Sequence, residues 1–201
     1  SKQSERGTLS TQKPEEPNIM GQIIALRCPK CGSTSSDRRV FKCHDCRAIL
    51  EVKVKIDHLR AADFARMRQS RDRSIWRWFD FFPVENRASI VSLGEGDTPL
   101  IHAKRLGEKL GLGNLYLKND TVLPTGSLKD RSNSVGISVA KELGFATTAV
   151  MSTGNAAASV AAYSAAAGLQ SVVLVPKGTA PSKIIQARAY GAAVIVVDGD
   201  F

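Results

Sequence analysis

The chain has 201 residues, of which 43% are hydrophobic, 23% charged and 6% aromatic. This composition is typical of one large or two small globular domains, and it excludes a collagen-like, coiled-coil or fully disordered protein. The net charge of +9 is local, because residues 27–77 contain 14 Lys or Arg and 6 Asp or Glu, which leaves the remainder nearly neutral.

A polar segment, residues 1–19, opens the chain with two prolines and balanced charges. It contains no apolar run of the kind found in secretory signals, so we expect a disordered tail. Without an export signal, the expected location is cytoplasmic, and cysteines in that compartment stay reduced.

The cysteines form two Cys-x-x-Cys pairs: Cys28, Cys31, Cys43 and Cys46. Each pair places two sulfurs on one tight turn, and two such turns facing each other give a tetrahedral set of thiolates suited to Zn²⁺. Short extended segments would frame these turns at 23–26, 40–42 and 50–54. We therefore predict a zinc ribbon over residues 20–56, with rubredoxin-like iron or two disulfides as the alternatives.

A basic zinc ribbon is also a common nucleic-acid-binding module, which gives a second functional hypothesis. The basic residues are spread over the ribbon and a predicted helix at 57–72, and the one aromatic residue of the ribbon is Phe41. Base stacking needs more aromatic side chains than this, so a solvated basic face is the simpler interpretation.

Residues 57–90 are predicted to link the ribbon to the rest of the chain through that helix and an aromatic anchor. The segment from Trp76 to Pro83 contains five of the 12 aromatic residues of the chain. So many large apolar side chains in one short segment indicate an anchor that packs against the main body.

From residue 91 onward, strand-like and helix-like runs alternate. The strand-like runs lie at 115–118, 147–151, 172–175 and 194–197. The helix-like runs lie at 103–110, 130–143, 156–167 and 181–190. This alternation predicts an α/β fold with a parallel, helix-covered sheet, whose ligands bind at the carboxyl ends of its strands.

A stretch without charged residues, 143–176, is long enough for a membrane span. Polar residues at 152–155 interrupt it, and the following residues are mostly alanine. These features favour a buried strand-loop-helix-strand unit over a membrane helix.

The segment 124–131 is a turn that leads into a helix with Lys129 near its start. The positive end of a helix and the neighbouring Arg131 both disfavour the charged form of an amine. The neutral form is a nucleophile that attacks carbonyl groups. A Schiff-base lysine is therefore one interpretation, and a solvated lysine at a helix start is the other.

A second strand end, at 152–159, has the sequence Ser-Thr-Gly-Asn-Ala-Ala-Ala-Ser. Unpaired N–H groups where a helix begins can bind a carboxylate or a phosphate. The alternative interpretation is an N-cap formed by the side chain of Thr153 or Asn155 over a core helix.

Three segments in this order resemble the successive signatures of the threonine synthase family: Ser-Leu-Gly-Glu-Gly-Asp-Thr-Pro-Leu at 92–100, Thr-Gly-Ser-Leu-Lys-Asp-Arg at 125–131 and the segment at 152–159. The ribbon and the anchor are similar to the N-terminal part of some members, so the resemblance extends from about residue 21 to 201. It implies a pyridoxal-phosphate enzyme of fold type II, with the residues after 91 forming the first part of the catalytic domain.

The resemblance also assigns roles to residues of this chain. Lys129 becomes the lysine that forms the aldimine with pyridoxal 5'-phosphate, and Asn155 contacts the phenolic oxygen of that cofactor. The loop from Ser152 to Ala156, which includes Thr153 and Gly154, would hold the substrate carboxylate. The implied reaction converts O-phospho-L-homoserine and water to L-threonine and phosphate, and Lys118 is a candidate for binding the leaving phosphate.

Four residues depart from the family pattern around this site: Leu123, Leu128, Ser132 and Ala156. Ala156 lacks a hydroxyl that would help to bind substrate, so a related lyase acting on serine or threonine is the runner-up. In the family, the cofactor-phosphate loop and the partner of the pyridine nitrogen follow the matched segments. We therefore expect the C-terminal part of the fold to be missing and this chain alone to be inactive, with a homo-oligomer expected for the complete enzyme.

Overall fold

The computed structural model describes residues 22–199, so the predicted tail at 1–19 lies outside the described residues. The N-terminal sheet has three antiparallel strands, with β1 (Gln22–Arg27) between β2 (Thr34–Ser35) and β3 (Glu51–Lys55). The predicted strand at 40–42 is reduced to one bridge between Lys42 and Ile49, because the chain turns tightly from residue 43 to 48.

Helix α1 (Ala61–Gln69) is shorter than the predicted helix at 57–72. It begins at Ala61 because the carboxylate of Asp63 accepts a hydrogen bond of 2.8 Å from the N–H of Arg60. It ends at Ser70, whose backbone is extended with ψ near 141°. A local side-chain cap therefore overrides the longer run of helix-forming residues.

The aromatic segment folds as a 3₁₀ helix at Ile75–Phe81, capped by Ser74, whose hydroxyl accepts from the N–H of Trp76 at 3.1 Å. Trp76 and Phe79 are among the most buried side chains of the chain, at 2% and 1% exposed. Their cluster packs against Val135 and Val139. These valines belong to helix α3 (Lys129–Glu142), so the aromatic segment is fixed to that helix.

The first strand pair after the aromatic segment differs from the prediction. β4 (Leu100–His102) and β5 (Tyr116–Lys118) pair antiparallel on either side of helix α2 (Lys104–Leu110). The strand predicted at 115–118 is therefore present, but it is not part of the parallel sheet. The apolar pattern of a three-residue strand identifies its type and does not specify its partner.

The parallel sheet consists of β6 (Thr147–Met151), β7 (Gln170–Pro176) and β8 (Ala193–Val197), with β7 in the middle. Helices α4 (Asn155–Ala167) and α5 (Pro181–Ala189) connect these strands. Their core contains the fully buried Ala157, Ala161, Val173 and Val175. The alanines let α4 approach the sheet closely, and the predicted strand-loop-helix-strand unit at 143–176 takes this form.

Helix α4 ends at Gly168, which adopts the left-handed conformation with φ 72° and closes the helix by a hydrogen bond to Ala165. Glycine adopts this conformation without steric cost. Between residues 22 and 199, no helix combines the length and the apolar character needed to cross a membrane.

Candidate active site and thiol cluster

The four cysteine sulfurs lie within 4.8 Å of one another. Two tight turns bring them together: the N–H of Gly32 donates to the carbonyl of Cys28, and the N–H of Arg47 donates to that of Cys43. The closest sulfurs are 3.4 Å apart, and sulfurs about 2.3 Å from a shared zinc ion would be about 3.8 Å apart. These four thiols could hold a metal ion.

The disulfide alternative does not match this arrangement, because all four cysteines are free and a disulfide needs sulfurs about 2.05 Å apart. The Ser33 hydroxyl, 3.4 Å from the sulfur of Cys31, lowers the pKa of that thiol to about 6, with a further contribution from the Ser33 backbone. The thiolate form is therefore favoured at Cys31 near neutral pH. At Cys46 the Ala48 backbone lowers the pKa, but hydrogen bonding to Cys28 and the other thiols outweighs it and raises that pKa to about 12.

The loop between the two cysteine pairs contacts the end of helix α3. Arg38 donates to the Glu142 carboxylate at 2.6 Å and to the Pro83 carbonyl at 2.8 Å. Arg39 donates to the Leu143 carbonyl at 2.9 Å. Two of the basic residues of the ribbon, Arg38 and Arg39, thus bond to other parts of the protein and do not belong to a purely solvated basic face.

Lys129 is the first residue of helix α3. The Ser127 hydroxyl accepts a hydrogen bond from its N–H at 3.1 Å and so fixes the start of the helix. The Lys129 side chain is exposed, and no carboxylate within residues 22–199 lies at ion-pair distance from its amine. The amine is therefore available to a ligand.

The residue after Lys129 connects three parts of the chain. Asp130 is fully buried and accepts hydrogen bonds from the N–H and the hydroxyl of Thr125 at 2.7 and 2.5 Å. It also accepts one from the hydroxyl of Ser159, on helix α4, at 2.6 Å. Because Ser159 lies one turn after Asn155, this contact places the first turns of α3 and α4 side by side.

Helix α4 begins at Asn155 without a side-chain cap, since its N-cap residue is Gly154. The alternative interpretation, an N-cap by Thr153 or Asn155, is therefore wrong. The Ser152 hydroxyl instead accepts from the N–H of Gly154 at 3.2 Å, within the loop. Asn155 is exposed and Ala156 is half-buried. With no side-chain cap, the first N–H groups of α4 remain free for an anionic ligand.

Lys118 lies at the end of β5, where its amine donates to the backbone carbonyl of Thr98. The Thr98 hydroxyl accepts from Arg131, and both contact Asp120. The Arg131 guanidinium holds the pKa of Asp120 down at about 2. Lys118 is thereby linked through Thr98 to the first turn of the helix that carries Lys129.

Sequence reasoning missed Glu95, a fully buried carboxylate that contacts both helices. It accepts from the hydroxyls of Ser134 and Tyr163 at 2.5 and 2.8 Å, and from the N–H of Leu93 at 2.9 Å. Burial, together with this carboxylate, raises the pKa of Tyr163. The sequence signal for this contact was a spacing of four residues between polar side chains. Ser134 follows Asp130 at this spacing on α3, and Tyr163 follows Ser159 on α4.

Comparison with known proteins shows the family of the chain. Residues 91–201 match the family described as "Pyridoxal-phosphate dependent enzyme". The chain belongs to this family. The expected α/β class is confirmed, and Lys129 and Asn155 both lie in the part of this pyridoxal-phosphate-dependent enzyme that the family covers.

Two curated threonine synthases are similar to most of this chain. The chain is 41% identical to the threonine synthase of Methanocaldococcus jannaschii over 87% of this chain and 44% of that protein. It is 39% identical to that of Methanosarcina acetivorans over 88% of this chain and 43% of the relative. The chain thus spans less than half the length of these relatives.

A solved structure shares the fold. Diaminopropionate ammonia lyase from Escherichia coli superposes with a TM-score of 0.50 at 19% identity, over 57% of this chain and 35% of that one. At this identity the likeness shows the fold alone.

The residues present fit pyridoxal phosphate. Lys129 offers an amine that pairs with no carboxylate of residues 22–199, and Asn155 offers an amide; these groups suit the aldehyde and the phenolic oxygen of the cofactor. The uncapped start of α4 offers N–H donors that suit the carboxylate of an amino acid bound next to it.

Proposed function

We propose that the chain carries the lysine-bearing part of a threonine synthase-like lyase. The observation that carries the proposal is the hydrogen bond of 2.6 Å between Ser159 and Asp130, which brings the helix starts at Lys129 and Asn155 together. The identity of about 40% to threonine synthases supports the choice of reaction. The substrates would be O-phospho-L-homoserine and water, and the products L-threonine and phosphate.

Pyridoxal phosphate, when bound, supplies an electron sink for the carbon atoms of the amino acid attached to it. The Lys129 amine would hold its aldehyde end and then transfer protons at the α and β carbons of the substrate. Its place at the start of a helix fixed by Ser127 and Asp130 limits the positions that the amine can reach.

The side chain of Asn155 would donate a hydrogen bond to the phenolic oxygen of the cofactor. The loop of Ser152, Thr153, Gly154 and Ala156 would hold the substrate carboxylate through backbone N–H groups, which the uncapped start of α4 leaves free. Lys118 would contact the leaving phosphate by exchanging its bond to the Thr98 carbonyl for one to the anion.

We further propose that Cys28, Cys31, Cys43 and Cys46 hold one structural Zn²⁺, since four thiolates leave no open position for catalysis. A reducing compartment such as the cytoplasm would keep these thiols available. The full-length protein would be a homo-oligomer.

The runner-up is a lyase that acts on serine or threonine, and Ala156 favours it because this residue contributes no hydroxyl to substrate binding. The two reactions give different products, so one assay of the full-length protein separates them. We expect release of inorganic phosphate from O-phospho-L-homoserine. Formation of a 2-oxoacid from threonine or serine, without phosphate release, would establish the runner-up instead.

A further inference from the structure

A row of buried polar side chains runs along the contact between helices α3 and α4. Its members lie four residues apart on each helix, are all fully buried, and are named here the polar seam: Asp130, Ser134, Ser159 and Tyr163. Residues four apart lie on the same face of a helix. The seam therefore consists of one polar stripe on each helix.

The seam contains two cross-links between the helices. Ser159 donates to Asp130 at 2.6 Å. Ser134 and Tyr163 lie 2.5 and 2.8 Å from the two oxygens of Glu95, so one carboxylate bonds to both helices. Sliding one helix along the other would leave these buried groups without partners, and each unpaired group would keep its full cost of desolvation. The seam thus permits one axial register.

The first cross-link lies at the candidate active site. Asp130 follows Lys129 directly, and Ser159 is one turn beyond Asn155. Asp130 also accepts two hydrogen bonds from Thr125, which begins the loop before Lys129. One buried carboxylate therefore fixes the loop, the first turn of α3 and the first turn of α4.

We infer that Asp130 is a positioning residue that, through Ser159, sets the separation of Lys129 and Asn155. This inference rests on the proposed function, because those two residues are its cofactor-binding pair. Three hydrogen bonds to a charged acceptor provide the rigidity, and charge-assisted bonds are about twice as strong as neutral ones. Asp130 itself touches neither cofactor nor substrate in this role.

Two variants and a matched control test the inference in the full-length protein. Ser159→Ala removes the cross-link. Asp130→Asn removes the charge, while its amide could still bond to the two hydroxyls if they reverse their direction. Ser164→Ala is the control, because Ser164 is equally buried on the same helix but bonds to Thr148 of β6 at 2.7 Å.

We expect Ser159→Ala and Ser164→Ala to lower the melting temperature of the cofactor-free protein by similar amounts. Unlike the control, Ser159→Ala should weaken the affinity of the cofactor-free protein for added pyridoxal phosphate by about tenfold. It should also lower kcat by about the same factor and leave KM little changed. Asp130→Asn should have a smaller effect of the same kind. The double variant should lose less than the sum of the two single losses, since both changes act on the contact between Asp130 and Ser159.

If Ser159→Ala matches Ser164→Ala in cofactor affinity and kcat as well as in melting temperature, the seam is only structural and the inference is wrong. Borohydride reduction of the wild-type holoenzyme distinguishes failure of the underlying function. If the wild-type protein binds pyridoxal phosphate at a lysine other than Lys129, the proposed function fails, and the inference fails with it.

Discussion

The ribbon and the α/β unit are stabilised in different ways. Within residues 25–56, the buried hydrophobic residues are Leu26, Cys28 and Cys43, while Phe41 and Ile49 are 67% and 70% exposed. The α/β unit instead buries a continuous core of alanine and valine between α4, α5 and the sheet. The ribbon therefore depends on its thiol cluster, whereas the α/β unit depends on apolar packing.

The largest effect is expected when the thiol cluster is broken. Cys43→Ser removes one buried ligand, and loss of a structural zinc ion costs on the order of 10 kcal/mol of binding and folding free energy. We expect loss of bound metal and of hydrogen-exchange protection in residues 26–55, while β6 to β8 stay protected. Elemental analysis and mass-spectrometric hydrogen exchange measure both.

His44→Ala is the control for this change, because the imidazole next to Cys43 is fully exposed. It should retain the metal. Retention of metal and protection by Cys43→Ser, equal to that of His44→Ala, would contradict the dependence of the ribbon on its thiols.

A close backbone contact between the start of the aromatic segment and the loop before β4 gives the second test. Gly96 has φ 151°, and a Cβ there would lie 2.6 Å from the carbonyl oxygen of Arg73. Backbone atoms cannot move aside for the added Cβ as a flexible side chain could. Gly96→Ala should therefore lower the free energy of unfolding by about 3 kcal/mol, measured by denaturant unfolding. Gly136→Ala, within α3 and with no atom near its added Cβ, should instead raise it by about 0.5–1 kcal/mol.

Glu142 links the two regions. Its carboxylate accepts from Arg38 and from the N–H groups of Glu85 and Asn86, and its side chain is 11% exposed. Glu142→Ala should cost about 2 kcal/mol and speed hydrogen exchange at both amides, because the partly buried Arg38 and the two amides lose their charged acceptor. Glu51→Gln, which breaks an exposed pair with Lys53, should change stability by less than about 0.5 kcal/mol. Equal effects of the two changes would contradict the link.

The smallest effect concerns pH. Asp120 has its pKa lowered from 3.8 to about 2, so in the folded state it stays charged where the unfolded chain takes up a proton. Its contribution is present above pH 4 and is lost as pH falls toward 2. Because the pair with Arg131 is partly exposed, Asp120→Asn should cost about 1 kcal/mol at pH 7. The difference should shrink between pH 4 and 2 in denaturant titrations, and a constant difference would contradict the ion pair.

Long elements of the α/β unit could be predicted from the sequence because glycine and apolar periodicity mark them. The helix predicted at 156–167 is found at Asn155–Ala167, between Gly154 and Gly168. The partner of the strand at Tyr116–Lys118 could not be predicted, since three residues do not encode pairing. Helix α1 was overestimated because one carboxylate, Asp63, decides where it begins.

The site was predictable only in part. Motif resemblance led to Lys129 and Asn155, and the Cys-x-x-Cys spacing led to the thiol cluster. The cross-links from Asp130 to Ser159 and from Glu95 to Tyr163 join residues 29 and 68 positions apart. A single polar residue within an apolar helix does not reveal its partner, so these contacts emerge only from the fold.

The central claim is that Lys129 is the attachment point for pyridoxal phosphate. Borohydride reduction of the full-length protein loaded with the cofactor, followed by peptide mass mapping, tests it directly. We expect one pyridoxyl group on the peptide that contains Lys129, and none after Lys129→Ala in protein that keeps its fold. A pyridoxyl group on another lysine of the wild-type protein would contradict the account.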